Sequence, residues 1–220
     1  MKTIKASYEI LTDINDNMLK EIERAARTCY KSEGNITDTS AQKLVSNLIA
    51  SNHLAMLEHC SISVRFITDR GVTHEIVRHR MCAYAQESTR YVNYNKKGCT
   101  FIKPLFWKKD TPEYRVWYAS MQYAEDTYNQ LIECGCTPQQ ARCVLPHSTK
   151  TEIVVTANLR EWLHIFELRC AKDAHPQIRE VMIPLLMEFT EKLPTVFGSI
   201  PITEEMKDFY NNYIKGEQYE

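Results

Sequence analysis

Arginine is the side chain best suited to grip a phosphate, because its planar guanidinium presents several fixed donors at once. This sequence gathers arginines in two sets. Arg78-His79-Arg80 is followed by Glu87-Ser88-Thr89-Arg90-Tyr91, a window without lysine. Downstream stand Arg142, Asn158, Arg160, His164 and Arg169. Asn158 reads as a helix cap, which puts Arg160 in the first turn, where a cation opposes the helix dipole unless an anion sits nearby. His164 and Arg169, five positions apart, would face different parts of a site or different subunits. Together the sets supply enough guanidiniums for one monophosphate and one diphosphate. They would equally serve as solvated basic faces at helix ends, although such faces usually mix in lysine.

The remaining chemistry is narrowed by what is missing. The six glycines (34, 71, 98, 135, 198 and 216) never come within five residues of each other, so neither GxGxxG nor a P-loop exists and side chains must hold any nucleotide. Ser88 lacks a GxSxG elbow, and none of the eight cysteines lies in an active-site signature. Ser88 is therefore read as a hydrogen-bonding residue. His53, Glu58 and His59 do not fit HExxH and no CxxC occurs, so no metal site is expected. Lys plus Arg (27) against Asp plus Glu (28) gives a net charge of −1, which argues against wholesale capture of nucleic acid or an anionic membrane. No stretch approaches the roughly 20 apolar residues of a membrane span, and the charged start is unlike a signal peptide. A cytoplasmic location, with the cysteines as thiols, is the expectation.

Positioning these residues falls to elements that the patterning outlines. At 220 residues one domain spanning 1–220 is expected. Ile4, Ala6, Tyr8 and Ile10 alternate as in one half-buried strand, as do Ile62, Val64 and Phe66, and Thr151 to Ala157 is the strongest strand signal. Helices are expected after Asp16 or Asn17, from Ser40, and in a short piece capped by Asp69 that leads into Arg78. Others run from Thr111-Pro112 to a stop at Gly135, from Thr137 with Gln140 as capping box, from Asn158 with Glu161, and from His175-Pro176 to about Lys192 with Pro184 inside. Residues 92–110, with Gly98, Pro104 and several lysines, read as a mobile loop that could close over substrate. Strands and helices do not alternate regularly, so the fold class is α+β, helices packed on a mixed or antiparallel sheet.

Arg78-His79-Arg80, seven residues and then Ser88 resembles the RHR-x7-S signature of flavin-dependent thymidylate synthases, continued by Arg90-Tyr91. Glu23-Arg24-Ala25-Ala26-Arg27, Leu57-Glu58-His59, Ala141-Arg142-Cys143-Val144-Leu145-Pro146, Asn158-Leu159-Arg160, Leu168-Arg169 and Ala174-His175 resemble further family blocks in family order. The resemblance implies reductive methylation of dUMP to dTMP, with methylenetetrahydrofolate as carbon donor, FAD carrying the hydride and NADPH reducing it. It implies a homotetramer with sites at subunit interfaces and no covalent enzyme nucleophile. By the same resemblance FAD meets His53, Arg78, His79, Arg80, Gln86, Asn158, Leu159, Arg160 and His164. dUMP meets Glu75, Arg78, Gln86, Glu87, Ser88, Thr89, Arg90, Arg142 and Arg169, with Arg169 as the catalytic residue. The family commonly reads RHRxxSxNExSxRY; here Ala83, Ala85 and Gln86 stand where Ser, Asn and Glu are usual. Ala55 replaces a hydroxyl, and Glu75 a glutamine.

Two other classes compete. A non-catalytic nucleotide- or RNA-binding module would use the same arginines with Tyr84, Tyr91 and Tyr94 as stacking platforms, but such modules usually carry a basic surplus. A helical scaffold would leave the arginine sets without a task.

Overall fold

Residues 1–95 and 98–215 are described by a computed structural model; Lys96 and Lys97 of the expected 92–110 loop, and the last five positions of the expected 1–220 domain including Gly216, lie outside the described residues. In chain order the strands are β1 (Lys2–Ile4), β2 (Ser7–Ile10), β3 (Ser61–Asp69), β4 (Ala83–Gln86), β5 (Thr100–Ile102) and β6 (Lys150–Asn158). The helices are α1 (Asn17–Thr28), α2 (Ser40–Ala50), α3 (Arg70–Ile76), α4 (Pro112–Glu133), α5 (Pro138–Ala141), α6 (Leu159–Arg169), α7 (Pro176–Lys192), α8 (Pro194–Phe197) and α9 (Glu204–Phe209).

The alternation in β3 buries Ile62, Val64 and Phe66 while turning Ser61, Ser63 and Arg65 outward. Its partner β6 buries Ile153, Val155 and Ala157 on the same side, and the two pair antiparallel over their whole length, from Ser61 opposite Asn158 to Asp69 opposite Lys150. β2 joins the free edge of β3 and β4 that of β6, giving the antiparallel order β2-β3-β6-β4. The apolar sheet face packs in one core with α6, α7 and α8, where Trp162, Phe166, Phe189 and Phe197 meet ring to ring. Helices packed on an antiparallel sheet are what the sequence pattern implied.

Two expectations are corrected. The single strand expected over Ile4 to Ile10 is two strands in two sheets: β1 runs parallel to β5, with Lys2 opposite Thr100, whereas β2 is antiparallel to β3. The N-terminal amine lies 2.8 Å from the Glu125 carboxylate on α4, so the first residues are drawn toward that helix and the chain must break between Ile4 and Ser7. The 92–110 segment is not wholly loop either, because it contains β5. Its lysines masked an apolar run: Phe101 and Ile102 are fully buried and Leu105 nearly so. Phe101 and Cys99 belong to a second core with Tyr94, Trp117, Met121 and Tyr128. Beyond Lys192 the chain adds α8 and α9, which place Phe197 and Phe209 in the main core.

Candidate active site

α3 positions the first arginine set. Asp69 Oδ1 accepts from the Val72 N–H at 2.8 Å and caps the helix, while its Oδ2 accepts from Gln177 Nε2 at 2.6 Å and ties it to α7. Past Ile76 the chain turns, and the Arg78 and His79 N–H groups donate to the carbonyls of Glu75 and Ile76. Tyr84 on β4 reaches back so that its hydroxyl donates to the carbonyls of Ile76 (2.8 Å) and His79 (2.5 Å). The turn thus exposes Arg78 and Arg80 and buries His79 to 5%.

His79 is the meeting point of α3 and α6. Arg169 donates from Nε to His79 Nε2 at 2.9 Å, from Nη1 to Glu75 Oε2 at 3.0 Å and from Nη2 to the Glu75 carbonyl at 3.0 Å. The His164 ring lies edge-on to His79, with centroids 5.8 Å apart. His164 and Arg169, expected to diverge around their helix, therefore both converge on one imidazole. Burial pushes the His79 pKa down to about 4, helped by the charges of Arg169 and His164, so the ring is neutral. Because Nε2 accepts, the ring proton is on Nδ1, which points toward Glu161 Oε1 at 3.7 Å, beyond hydrogen-bond length.

From the end of β4 onward, residues 86–90 behave differently one by one. Thr89, 5% exposed, accepts from Arg142 Nη1 at 3.3 Å, so positions 53 residues apart meet. Arg90 is exposed, its guanidinium 5.5 Å from the Tyr91 ring. Ser88 Oγ accepts from the Arg90 N–H at 3.3 Å. Gln86 and Glu87 look inward instead. Gln86 Nε2 donates to Thr73 Oγ1 at 2.9 Å, and Glu87 accepts from the Tyr94 hydroxyl (3.0 Å) and Lys150 Nζ (3.1 Å).

The third group surrounds the start of α6. Asn158 Oδ1 accepts from the Glu161 N–H at 2.8 Å, the expected cap. The anion that a first-turn Arg160 requires is Glu58, 2.6 Å away in an exposed pair. Two cavities adjoin there and share Leu54 and Arg160. One, about 490 Å³, is lined by His53, Ala55, Arg27, Tyr30 and Leu48 among others; the second, about 410 Å³, by Met81, Asn158, Glu161 and His164. Leu159 is fully buried, its N–H donating to the Cys60 carbonyl, so its side chain faces the core and not the cavities. From sequence, Tyr84 reads only as a stacking platform and Glu161 only as part of a helix cap, and Lys150 is not singled out; Glu161 and Lys150 act on residues far along the chain, whereas Tyr84 acts locally by holding the turn at His79. Glu58 reads from sequence as part of the rejected metal set and of the Leu57-Glu58-His59 block, but not as the anion beside Arg160. Among the described residues no cluster of His, Cys, Asp or Glu is arranged to hold a metal, and no helix is long and apolar enough to cross a membrane.

A family model described as thymidylate synthase complementing protein matches residues 10–195. The flavin-dependent thymidylate synthase of Geobacter sulfurreducens is 32% identical over 180 residues, which are 79% of this chain and 78% of that one. That of Mycobacterium leprae is 31% identical over 205 residues, 83% and 80% of the two chains. The crystal structure of a UMP/dUMP methylase, PolB, from Streptomyces cacaoi bound with 5-Br dUMP superposes with a TM-score of 0.73 over 90% of this chain and 96% of that one, at 23% identity. At that identity the superposition speaks for the fold, and the matches in sequence speak for descent: the chain belongs to the flavin-dependent thymidylate synthase family.

Proposed function

We propose that this protein methylates dUMP to dTMP, using FAD reduced by NADPH and the carbon of methylenetetrahydrofolate. The observation that carries the reading is the state of Arg169. Three of the five guanidinium N–H donors are fixed by His79 and Glu75, and two remain on a side chain 20% exposed. A rigid guanidinium with two spare donors suits the acceptor edge of a uracil ring.

The residues present fit a flavin dinucleotide. The cavity around Leu44, Leu48, Leu54, Ala55 and Met56 is mainly apolar and suits a flat ring, whereas the adjoining one, with Glu58, Asn158, Glu161, His164 and Glu167, is lined mainly by polar residues; with Arg160 between them they suit an extended ligand. Arg78 and Arg80, exposed beside the Met81 that lines one cavity, have the donor chemistry a diphosphate needs. The exposed Glu58–Arg160 pair exchanges for a phosphate at little cost, since such surface pairs are worth about 0–1 kcal/mol. When bound, the reduced flavin supplies the hydride.

The chain's own residues bind, orient and stabilise charge. Arg142, Ser88 and Arg90 are assigned to the phosphate of dUMP, and His53, Asn158, Arg160 and His164 to the flavin. Arg169 donates to the uracil and stabilises the negative charge that builds as its C5 becomes nucleophilic. Neutral His79 accepts from Arg169 without competing for the substrate's charge. No thiolate is needed, and burial pushes the Cys60, Cys99 and Cys170 thiols up to about 12, which leaves them inert at neutral pH. Exposed Arg78, Arg80 and Arg90 agree with sites completed across a homotetramer.

Colour tests the reading against an RNA-binding module. Purified protein should show a flavin spectrum that bleaches with NADPH and returns in air. Protein that takes up no FAD yet retains RNA on a filter would reverse the assignment.

A further inference from the structure

Glu87 stands beside the proposed phosphate-binding residues, yet its carboxylate is turned away from them. Its N–H donates to the Glu152 carbonyl on β6 at 2.8 Å, extending the ladder one residue past β4. Its side chain then meets two donors, Tyr94 at 3.0 Å and Lys150 at 3.1 Å. Lys150 also donates to Glu152 Oε1 at 2.5 Å. The Lys150 and Glu87 side chains are 19% and 18% exposed, so this is a largely covered network and not a solvated surface pair. Immediately afterwards the chain folds tightly on itself: the N–H groups of Tyr91 and Val92 both donate to the Ser88 carbonyl, at 3.2 and 3.1 Å. The turn is thus pinned by Glu87 before it, by Tyr94 after it and by Thr89 on Arg142 at its centre.

We infer that Lys150 and Tyr94 are positioning residues: by holding Glu87 they fix the turn that presents Ser88 and Arg90, beside Arg142, to the phosphate of the pyrimidine nucleotide, and Glu87 itself does not touch the substrate. The inference rests on the function proposed above. Releasing Glu87 lets the Ser88–Arg90 turn sample other positions. Nucleotide affinity then falls, while the flavin and Arg169, held by other elements, are undisturbed.

The test uses the FAD-loaded enzyme. Lys150→Met should raise the KM and the Kd for dUMP roughly tenfold, the scale of one lost charge-assisted hydrogen bond. Its kcat, flavin content and bleaching by NADPH should stay near wild type, and Lys150→Arg should restore most of the affinity. Tyr94→Phe, which keeps the buried ring and removes one hydroxyl, should shift KM in the same direction and serves if Lys150→Met folds poorly. In a double-mutant cycle, Lys150→Met with Glu87→Gln should bind dUMP no more weakly than the weaker single variant. Full additivity would show Glu87 touching the nucleotide, and wild-type affinity in both Lys150→Met and Tyr94→Phe would remove the positioning role; either result overturns the inference. The wild-type titration reads the parent assignment separately, because an FAD-loaded wild type that binds no dUMP would overturn the proposed function itself.

Discussion

A buried histidine with Arg169 bonded to its ring and His164 beside it holds a proton poorly. With His79 pushed down to about 4 by burial and its charged neighbours, the folded state binds fewer protons than the unfolded chain between roughly pH 6.5 and 4. Stability present above that window is lost as pH falls through it. His79→Gln keeps an acceptor for Arg169 and removes the titration. Denaturant unfolding at pH 6.5 and pH 5 should show wild type losing about 1.5 kcal/mol more than the variant, from about 1.4 kcal/mol per pH unit; equal losses would mean that His79 takes up its proton in the folded state as readily as in the unfolded chain. Glu180 runs the other way. Burial and the nearby Asp69 push it up to about 8, and its Oε2 has no hydrogen-bond partner. Its contribution is full below about pH 4.5 and is lost as pH rises toward 8, so Glu180→Gln should gain about 2 kcal/mol on wild type between pH 6 and pH 8. The residue types that do chemistry were legible in the sequence; their mutual contacts were not. Arg169 and Glu75 are 94 positions apart, and only the fold reveals that the carboxylate standing where the family usually has a glutamine clamps the arginine proposed as catalytic.

At the scale of elements, helix starts were the most readable feature because a cap is a contact three residues long. Asp69 on Val72, Thr111 on Tyr114 and Asn158 on Glu161 all form as the sequence implied. Sheet pairing was less readable: Lys2 and Thr100 pair across the whole span between them, and alternation alone cannot show which of two sheets a strand joins. The caps also separate stability from function. Thr111→Ala should cost about 1 kcal/mol, a typical cap value, and leave flavin content and turnover intact, since α4 carries none of the assigned residues. Asp69→Ala removes both the α3 cap and the Gln177 tie to α7, and should cost about 2 kcal/mol or more. Because α3 leads into Arg78, that variant should also lose FAD affinity in a titration, which Thr111→Ala should not.

On the scale of the whole molecule, nearly balanced charge argues for anion recognition by local arginines and against a broadly basic surface. FAD at a hundred times its Kd should therefore raise stability by about 2.7 kcal/mol in thermal unfolding, whereas RNA should raise it little even at low salt. Arg169 stands at the centre of the account, since α3, α6 and the neutral His79 all act to hold it. The most direct measurement is dTMP formation from dUMP, methylenetetrahydrofolate and NADPH by wild type and by Arg169→Ala, with bound FAD quantified in both. Wild type should form dTMP, and the variant should keep its flavin while losing at least one to two decades of rate, the yield of one charge-assisted hydrogen bond of about 1.5–3 kcal/mol. A flavin-loaded Arg169→Ala protein turning over at the wild-type rate would contradict the account.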